Sequence, residues 1–197
     1  MKDKKIMWFD VETSGLCPKD NDITQFACKF FINGELVDQM NEFCQPLNWD
    51  SISEEALKIT GKTIEEYKTF QTPRELYLKM LKLFGKYIKK FDKKDKFYLG
   101  GYNVCSFDSP FLSEFFLKQG DKWLASWTNF KKLDPLVLAH WLDYQGKLSL
   151  PNYTLETIAK YFGFDVNFHD AFDDIDVTIQ IYYKLYTMIL GMNNDIL

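Results

Sequence analysis

The sequence predicts an α/β fold in which a mixed sheet is sandwiched by helices. Three observations carry that reading. The first third holds three consecutive β-prone runs, the chain then changes to helical period, and a further strand-like run returns after a long helix. A strand that rejoins a sheet through a crossover helix pairs in parallel, so three antiparallel strands and at least one parallel strand are expected. Element by element, Lys5 to Glu12 is a short, mostly apolar run closed by Thr13-Ser14-Gly15, a buried strand ended by a turn. Ile23 to Ile32 and Glu35 to Gln45 flank Asn33-Gly34, the strongest short-range hairpin signal, which makes a three-stranded meander. Helical period begins at Ser53, with Glu55 and Ala56 behind it. Thr72-Pro73 then opens a long helix to about Phe91. Leu76, Met80, Leu83, Phe84 and Tyr87 form its apolar stripe, with Lys79, Lys82, Lys86, Lys89 and Lys90 mostly off it. Phe97 to Tyr102 is the returning strand, preceded by the turn Lys93-Lys94-Asp95-Lys96. Ser109-Pro110 starts a helix, Leu133 to Trp141 and Tyr153 to Phe162 are short helices, and Asp170 to about Leu190 is the last and best defined. The order is β-β-β-α-β-α-α-α, with no repeat or linker, in one domain over residues 1–197.

Composition narrows the function classes. A chain of 197 residues that is 46% hydrophobic is not a disordered one. Its formal charge of −4 excludes a strongly basic coat. It does not exclude nucleic acid, because a site for divalent cations concentrates carboxylates that count as negative until metal binds. Cys17, Cys28, Cys44 and Cys105 show neither zinc-like spacing nor a disulfide framework. With no signal peptide and no long apolar segment, a cytoplasmic protein with no membrane partner is expected.

Chemistry concentrates in three places. Asp10 and Glu12 end the first strand with one residue between them, so alternation puts both carboxylates on one face. A divalent cation would compensate such a pair, although an isolated Asp-x-Glu is more often a solvated strand end. On the last helix Asp174 falls on the stripe of Ala171, Thr178, Ile181, Tyr182, Leu185 and Ile189, while Asp173 falls outside it. An inward Asp174 suits a ligand role or a dipole partner equally. His169 lies just before that helix, in a loop. Finally, the run from Gly100 to Asp108 links a strand to a helix and places Asp108 at a strand's C-terminal edge, where α/β sheets bind ligands.

The order Asp10-x-Glu12, Asn103-x-x-x-Phe107-Asp108, His169-x-x-x-x-Asp174 closely resembles the three motifs of the DEDDh, or DnaQ-like, 3′-to-5′ exonucleases. That family includes the proofreading epsilon subunit of bacterial DNA polymerase III and ribonuclease T. The resemblance spans residues 6 to about 185. Phe9-Asp10-Val11-Glu12-Thr13-Ser14-Gly15-Leu16 is similar to the first motif almost letter for letter, and Ile52-Ser53-x-Glu55-Ala56 with Ile59-Thr60-Gly61 resembles the connecting segment. Polymerase-associated members often carry a His before that glycine, where this chain has Thr60.

The resemblance implies a ribonuclease H-like (exonuclease) fold, with a five-stranded mixed sheet flanked by helices. It implies hydrolysis at single-stranded DNA or RNA 3′ ends, releasing nucleoside 5′-monophosphates, with two divalent cations about 3.5 to 4 Å apart. Oxygen-only ligands favour Mg²⁺ or Mn²⁺ over zinc. Asp10 would bridge both ions, Glu12 and Asp174 would ligate the one holding the attacking water, and Asp108 would complete the set. His169 would be the general base. The backbone at Thr13 would meet the 3′-hydroxyl, Leu16 and Ile59 would wedge beside the terminal bases, and Asn103 and Phe107 would border the terminal nucleotide. Proofreading beside a polymerase and free-standing trimming share these motifs. The short chain after the last helix, ending at Leu197, favours the free-standing form; dimers occur in the family, though no residue here argues one. Two other classes fit parts of the pattern: a non-catalytic nucleic-acid-binding module of the same fold, and a metal-dependent nucleotide phosphatase.

Overall fold

The first strand of the sheet, β1 (Lys5–Thr13), alternates its burial and thereby divides the molecule. In the computed structural model, which describes residues 3–164 and 171–191, β1 lies at the centre of a five-stranded sheet. The other strands are β2 (Ile23–Ile32), β3 (Glu35–Phe43), β4 (Phe97–Gly100) and β5 (Thr128–Leu133), in the order β3-β2-β1-β4-β5. β1, β2 and β3 pair antiparallel, whereas β4 runs parallel to both β1 and β5. The expected meander and the parallel return are both present. Asn33 and Gly34 take φ of 54° and 93°, as a hairpin turn of the primed type requires.

The helices are α1 (Glu54–Thr60), α2 (Ile64–Tyr67), α3 (Pro73–Tyr87), α4 (Asp108–Lys118), α5 (Pro135–Tyr144), α6 (Leu155–Tyr161) and α7 (Ala171–Leu190), with short 3₁₀ turns at Trp49–Ser51 and Leu124–Ser126. One face of the sheet is covered by α3 and α4: Met7, Phe9 and Val11 are buried with Leu76, Met80, Phe84, Phe111 and Phe116. The other is covered by α7, where Trp8 and Ala27 meet Ala171 and Ile175. Behind α7, Val177, Ile181 and Leu185 pack on α5 and α6 through Ala139, Leu142 and Ile158.

Several boundaries differ from the sequence reading. α3 has the expected stripe and a Thr72/Glu75 capping box, but it ends at Tyr87, four residues before Phe91. The ammonium of Lys5 donates to the Tyr87 carbonyl at 2.6 Å, and buried Ile88 turns extended, so tertiary contacts end the helix. β5 is not among the strands that periodicity predicts, and Leu133, expected to begin a helix, is its last residue. β5 is an edge strand with Phe130 84% exposed, so it lacks the apolar alternation of a half-buried strand. β4 stops at Gly100, and α2, four residues long, is too short to show a period. Cys17, Cys28, Cys44 and Cys105 are free thiols. Among the described residues no helix is long and apolar enough to cross a membrane.

Gly100 permits the closest approach in the sheet. A Cβ there would lie 2.4 Å from the Trp8 ring, which is itself clamped edge-on by Tyr182 of α7 at 5.2 Å. Gly100→Ala is expected to cost about 1–3 kcal/mol of stability, the usual range for overpacking. Urea denaturation measures it, and an unchanged midpoint would show that Trp8 has room to move.

Candidate active site

The strand alternation that buries Trp8 against α7 also directs Asp10 and Glu12 to the α7 face, on the last turn of pleat before β1 ends. Register places Asp10 opposite Ala27 and Glu12 opposite Gln25. The small Ala27 side chain leaves the space beside Asp10 to be bounded by α7 rather than filled by β2.

β4 pairs with β1 only as far as Trp8, opposite Gly100. Beyond that point Asp108, the first residue of α4, does what a neighbouring strand would have done: its Oδ1 accepts the Val11 N–H at 3.1 Å. The Asp108 carboxylate is therefore seated on the backbone between Asp10 and Glu12. Asp108 is 2% exposed. Burial pushes its pKa up to about 7, and the nearby charge of Asp134 acts in the same direction, while N–H donation from Val11 and from its own backbone pulls it back.

The turn that delivers Asp108 is held at several points. Gly101 lies so close to the Phe9 carbonyl that a Cβ would be 2.7 Å from the oxygen. Asn103 adopts φ of 54°, a conformation Asn tolerates better than most residues. Asp134 accepts the N–H groups of Asn103 at 3.0 Å and Cys105 at 3.2 Å, and caps α5 by accepting the Leu136 N–H at 3.1 Å.

Opposite this wall, Ser14 joins β1 to the start of α1. Its N–H donates to Asp22 and its carbonyl accepts the Ser53 N–H. Ser53 then caps α1 by accepting from Ala56. Gly15 is pressed on Asn21, whose side chain accepts the Cys17 N–H and donates to the Ser51 carbonyl. This bracing presents Leu16 84% exposed at the loop tip and Ile59 49% exposed on α1.

Together these elements enclose a cleft of about 780 Å³. Of the residues singled out from sequence, Asp10, Glu12, Asp108, Thr13, Leu16, Ile59, Asn103 and Phe107 all line it. Asp174 does not. It is 8% exposed in the first turn of α7, on the inward side as its stripe position predicts, and Asp173 is exposed. Ile175 and Thr178, next to it and one turn on, share a small gap with Asp10 beneath α7. Among the described residues no group of three or more His, Cys, Asp or Glu side chains forms a set that could hold an ion as it stands. His169 lies outside the described residues. Three lining or supporting residues have no role predicted from sequence. Glu55 stands one helical turn before Ile59, so i, i+4 spacing could have found it. Tyr102, which donates to the Tyr153 carbonyl, and Asp134 have no local signal.

A mixed sheet of this order, with a carboxylate cleft at the C-terminal ends of its parallel strands β1 and β4, is the ribonuclease H-like architecture that exonucleases use. The pattern of the RNase_T family, described as Exonuclease, matches residues 7–182, and this chain belongs to that family. The expectation drawn from the three motifs therefore holds at family level. The PolC-type DNA polymerase III of Pediococcus pentosaceus is 28% identical over 184 residues, 93% of this chain and 11% of the relative. That of Halalkalibacterium halodurans is 27% identical over the same share. Escherichia coli exonuclease I, solved with a dA16 oligonucleotide, superposes with a TM-score of 0.72 at 20% identity, covering 94% of this chain and 41% of that one. Its zinc-bound complex with single-stranded DNA gives 0.75 at 20% identity, over 96% and 42%. The chain thus spans about a tenth of the curated relatives' length and two fifths of exonuclease I.

Proposed function

We propose that this chain is a divalent-metal-dependent 3′-to-5′ exonuclease that removes nucleoside 5′-monophosphates from single-stranded DNA or RNA. One observation carries the reading: the Asp108 carboxylate sits on the Val11 N–H, between Asp10 and Glu12, in one cleft edged by exposed apolar side chains.

The donor set fits divalent cations in kind, and Asp10, Glu12, Asp108 and Asp174 would have to draw closer together to share an ion. The set is oxygen-only, as Mg²⁺ and Mn²⁺ prefer, and the carboxylates of Asp10, Glu12, Glu55 and Asp108 border one cleft, that of Asp108 with its ionised form disfavoured by burial until positive charge arrives. Asp10, Glu12, Asp108 and Asp174 would hold two ions, which when bound activate water and neutralise the scissile phosphate. The chain's own part is positioning. The braced turn at Gly15 presents Leu16 to a base and brings the backbone near Thr13 to the 3′-hydroxyl. Ile59 forms the facing wall, and Phe107, tilted against the Phe111 ring with centroids 5.0 Å apart, gives the terminal nucleotide a supported ring to lie against. Such contacts read apolar surface and π faces, so base preference is weak. His169 takes the proton of the attacking water on a ring nitrogen.

His169→Ala is expected to lower kcat about 10²–10³-fold, within the range for a lost general base, while binding of single-stranded DNA in EDTA stays within a few-fold. If kcat survives unchanged, another group is the base.

Single-stranded DNA and RNA with a 5′ label, incubated with Mg²⁺ or Mn²⁺, test the activity. Stepwise shortening from the 3′ end that stops on chelation is the expected result. Binding without shortening would make the chain a recognition module, and phosphate release from mononucleotides alone would make it a phosphatase. The curated relatives are PolC-type polymerases. That favours a proofreading context for the same chemistry, tested by adding a replicative polymerase and a mismatched primer end.

A further inference from the structure

We infer that the end of the molecule opposite the cleft carries a second binding surface for single-stranded nucleic acid, built on Phe91 and Trp123 and the lysines around them. This inference rests on the exonuclease reading only for the choice of polymer.

Phe91 is 66% exposed and Trp123 55% exposed, and their rings meet edge-on at 6.4 Å. Phe91 is held at φ 69°, a left-handed conformation that costs a non-glycine residue about 1–2 kcal/mol. Ile88, three residues earlier, is buried in the core at this end of α3, whereas the Phe91 ring stands outside it. Ammonium groups surround the pair. The Lys90 Nζ lies 5.3 Å from the Phe91 ring and the Lys122 Nζ 5.5 Å from Trp123. Lys89, Lys93, Lys94 and Lys122 are exposed, and among the described residues none of these four forms a salt bridge.

The acids of this region are occupied in holding it together. Asp95 accepts from the Lys5 ammonium at 2.7 Å and the Lys89 N–H at 2.8 Å. Asp92 accepts the Lys94 N–H at 2.8 Å, and Asp121 takes the Tyr77 hydroxyl and the Trp123 N–H. A chain of net charge −4 therefore presents a locally positive surface with two accessible rings. Phosphates match the ammonium groups and unpaired bases match the rings, which is how sequence-independent single-strand binding works. A protein partner would have to bury several lysines at the centre of its contact, where interfaces are depleted of charge.

The surface lies before the first residues of β4 and β5, whereas the cleft lies beyond the last residues of β1 and β4. From Lys5, which meets Asp95, to Glu12 the strand runs roughly 20 Å. A strand whose 3′ end occupies the cleft reaches the second surface only if it is several nucleotides longer than the cleft alone needs.

Length dependence is therefore the test. Fluorescein-labelled dT20 and dT4 are titrated with the full chain in EDTA, and anisotropy is read without turnover. Phe91→Gly combined with Trp123→Ala is expected to raise Kd for dT20 about tenfold and leave dT4 within twofold. Glycine relieves the left-handed strain at residue 91 and offsets part of the packing lost with the two rings, and a far-UV spectrum matching the parent's shows that the variant is folded. Lys93→Gln with Lys94→Gln should reduce the salt slope of dT20 binding by about 1.4, two phosphates' worth for a single strand. Unchanged dT20 affinity, or equal weakening of both lengths, would overturn the inference. Because binding is read without cleavage, dT20 held through these residues by a chain that trims nothing would sink only the exonuclease reading. Trimming with no length effect would sink only this one.

Discussion

Asp10→Asn is expected to lower the rate of 3′-end hydrolysis at least about 10³-fold, some 4 kcal/mol of transition-state stabilisation, while binding of single-stranded DNA in EDTA stays within a few-fold. Asp10 lies opposite Ala27 on the α7 face of β1, next in the chain to Val11, whose N–H the Asp108 carboxylate accepts, and it lines the cleft with Glu12 and Asp108. Asn keeps the shape and removes one charge. A chain whose activity depends on cations held by carboxylates cannot tolerate that loss, whereas one that merely binds nucleic acid can. Single-turnover cleavage of a 5′-labelled oligonucleotide at saturating protein separates the two. A variant within tenfold of the parent would remove Asp10 from the chemistry.

Asp108→Asn should separate activity from stability in opposite directions. The Asp108 carboxyl is buried, with its pKa pushed up to about 7. A carboxyl raised above its unfolded value favours the fold fully at pH below about 4, where both states are protonated. That advantage is lost as pH rises to about 7, beyond which the fold carries a buried anion at constant cost. In metal-free buffer the parent should therefore lose a few kcal/mol between pH 4 and pH 8. The substituted amide's oxygen would accept the Val11 N–H equally well without ever ionising. The variant's stability at pH 8 should rise, its pH slope should flatten, and its nuclease activity should disappear. Millimolar Mg²⁺ should stabilise the parent at pH 8 and have little effect on the variant. Urea midpoints across that pH range, with and without Mg²⁺, measure all of this. Identical slopes for parent and variant would show that Asp108 is not the group whose ionisation strains the fold.

The sequence is most informative where local chemistry and burial coincide. The Asn33-Gly34 turn, the helix start at Thr72-Pro73 and the inward stripe through Asp174 all rest on contacts within a few residues, and each is present. It is least informative where a distant residue decides the outcome. α3 stops at Tyr87 because Lys5, 82 residues away, takes its last carbonyl. β5 exists because β4 offers it a ladder, not because Thr128 to Leu133 alternates. Asp134 reads like any residue before a Pro-initiated helix, yet it fastens the turn that delivers Asp108.

By itself, the amino-acid order determined the α/β class, the facing of Asp10 with Glu12 and the family, because side-chain alternation and motif spacing are properties of the chain. Only the folded molecule decided that Asp108 would replace a missing strand at the Val11 N–H, that Leu16 and Ile59 would stand exposed over the same cleft, and that Phe91 and Trp123 would meet at the opposite end of the sheet. Those relations join residues far apart in the chain. They depend on where β4 stops pairing and how tightly Gly100 and Gly101 let it approach β1, which no local pattern encodes.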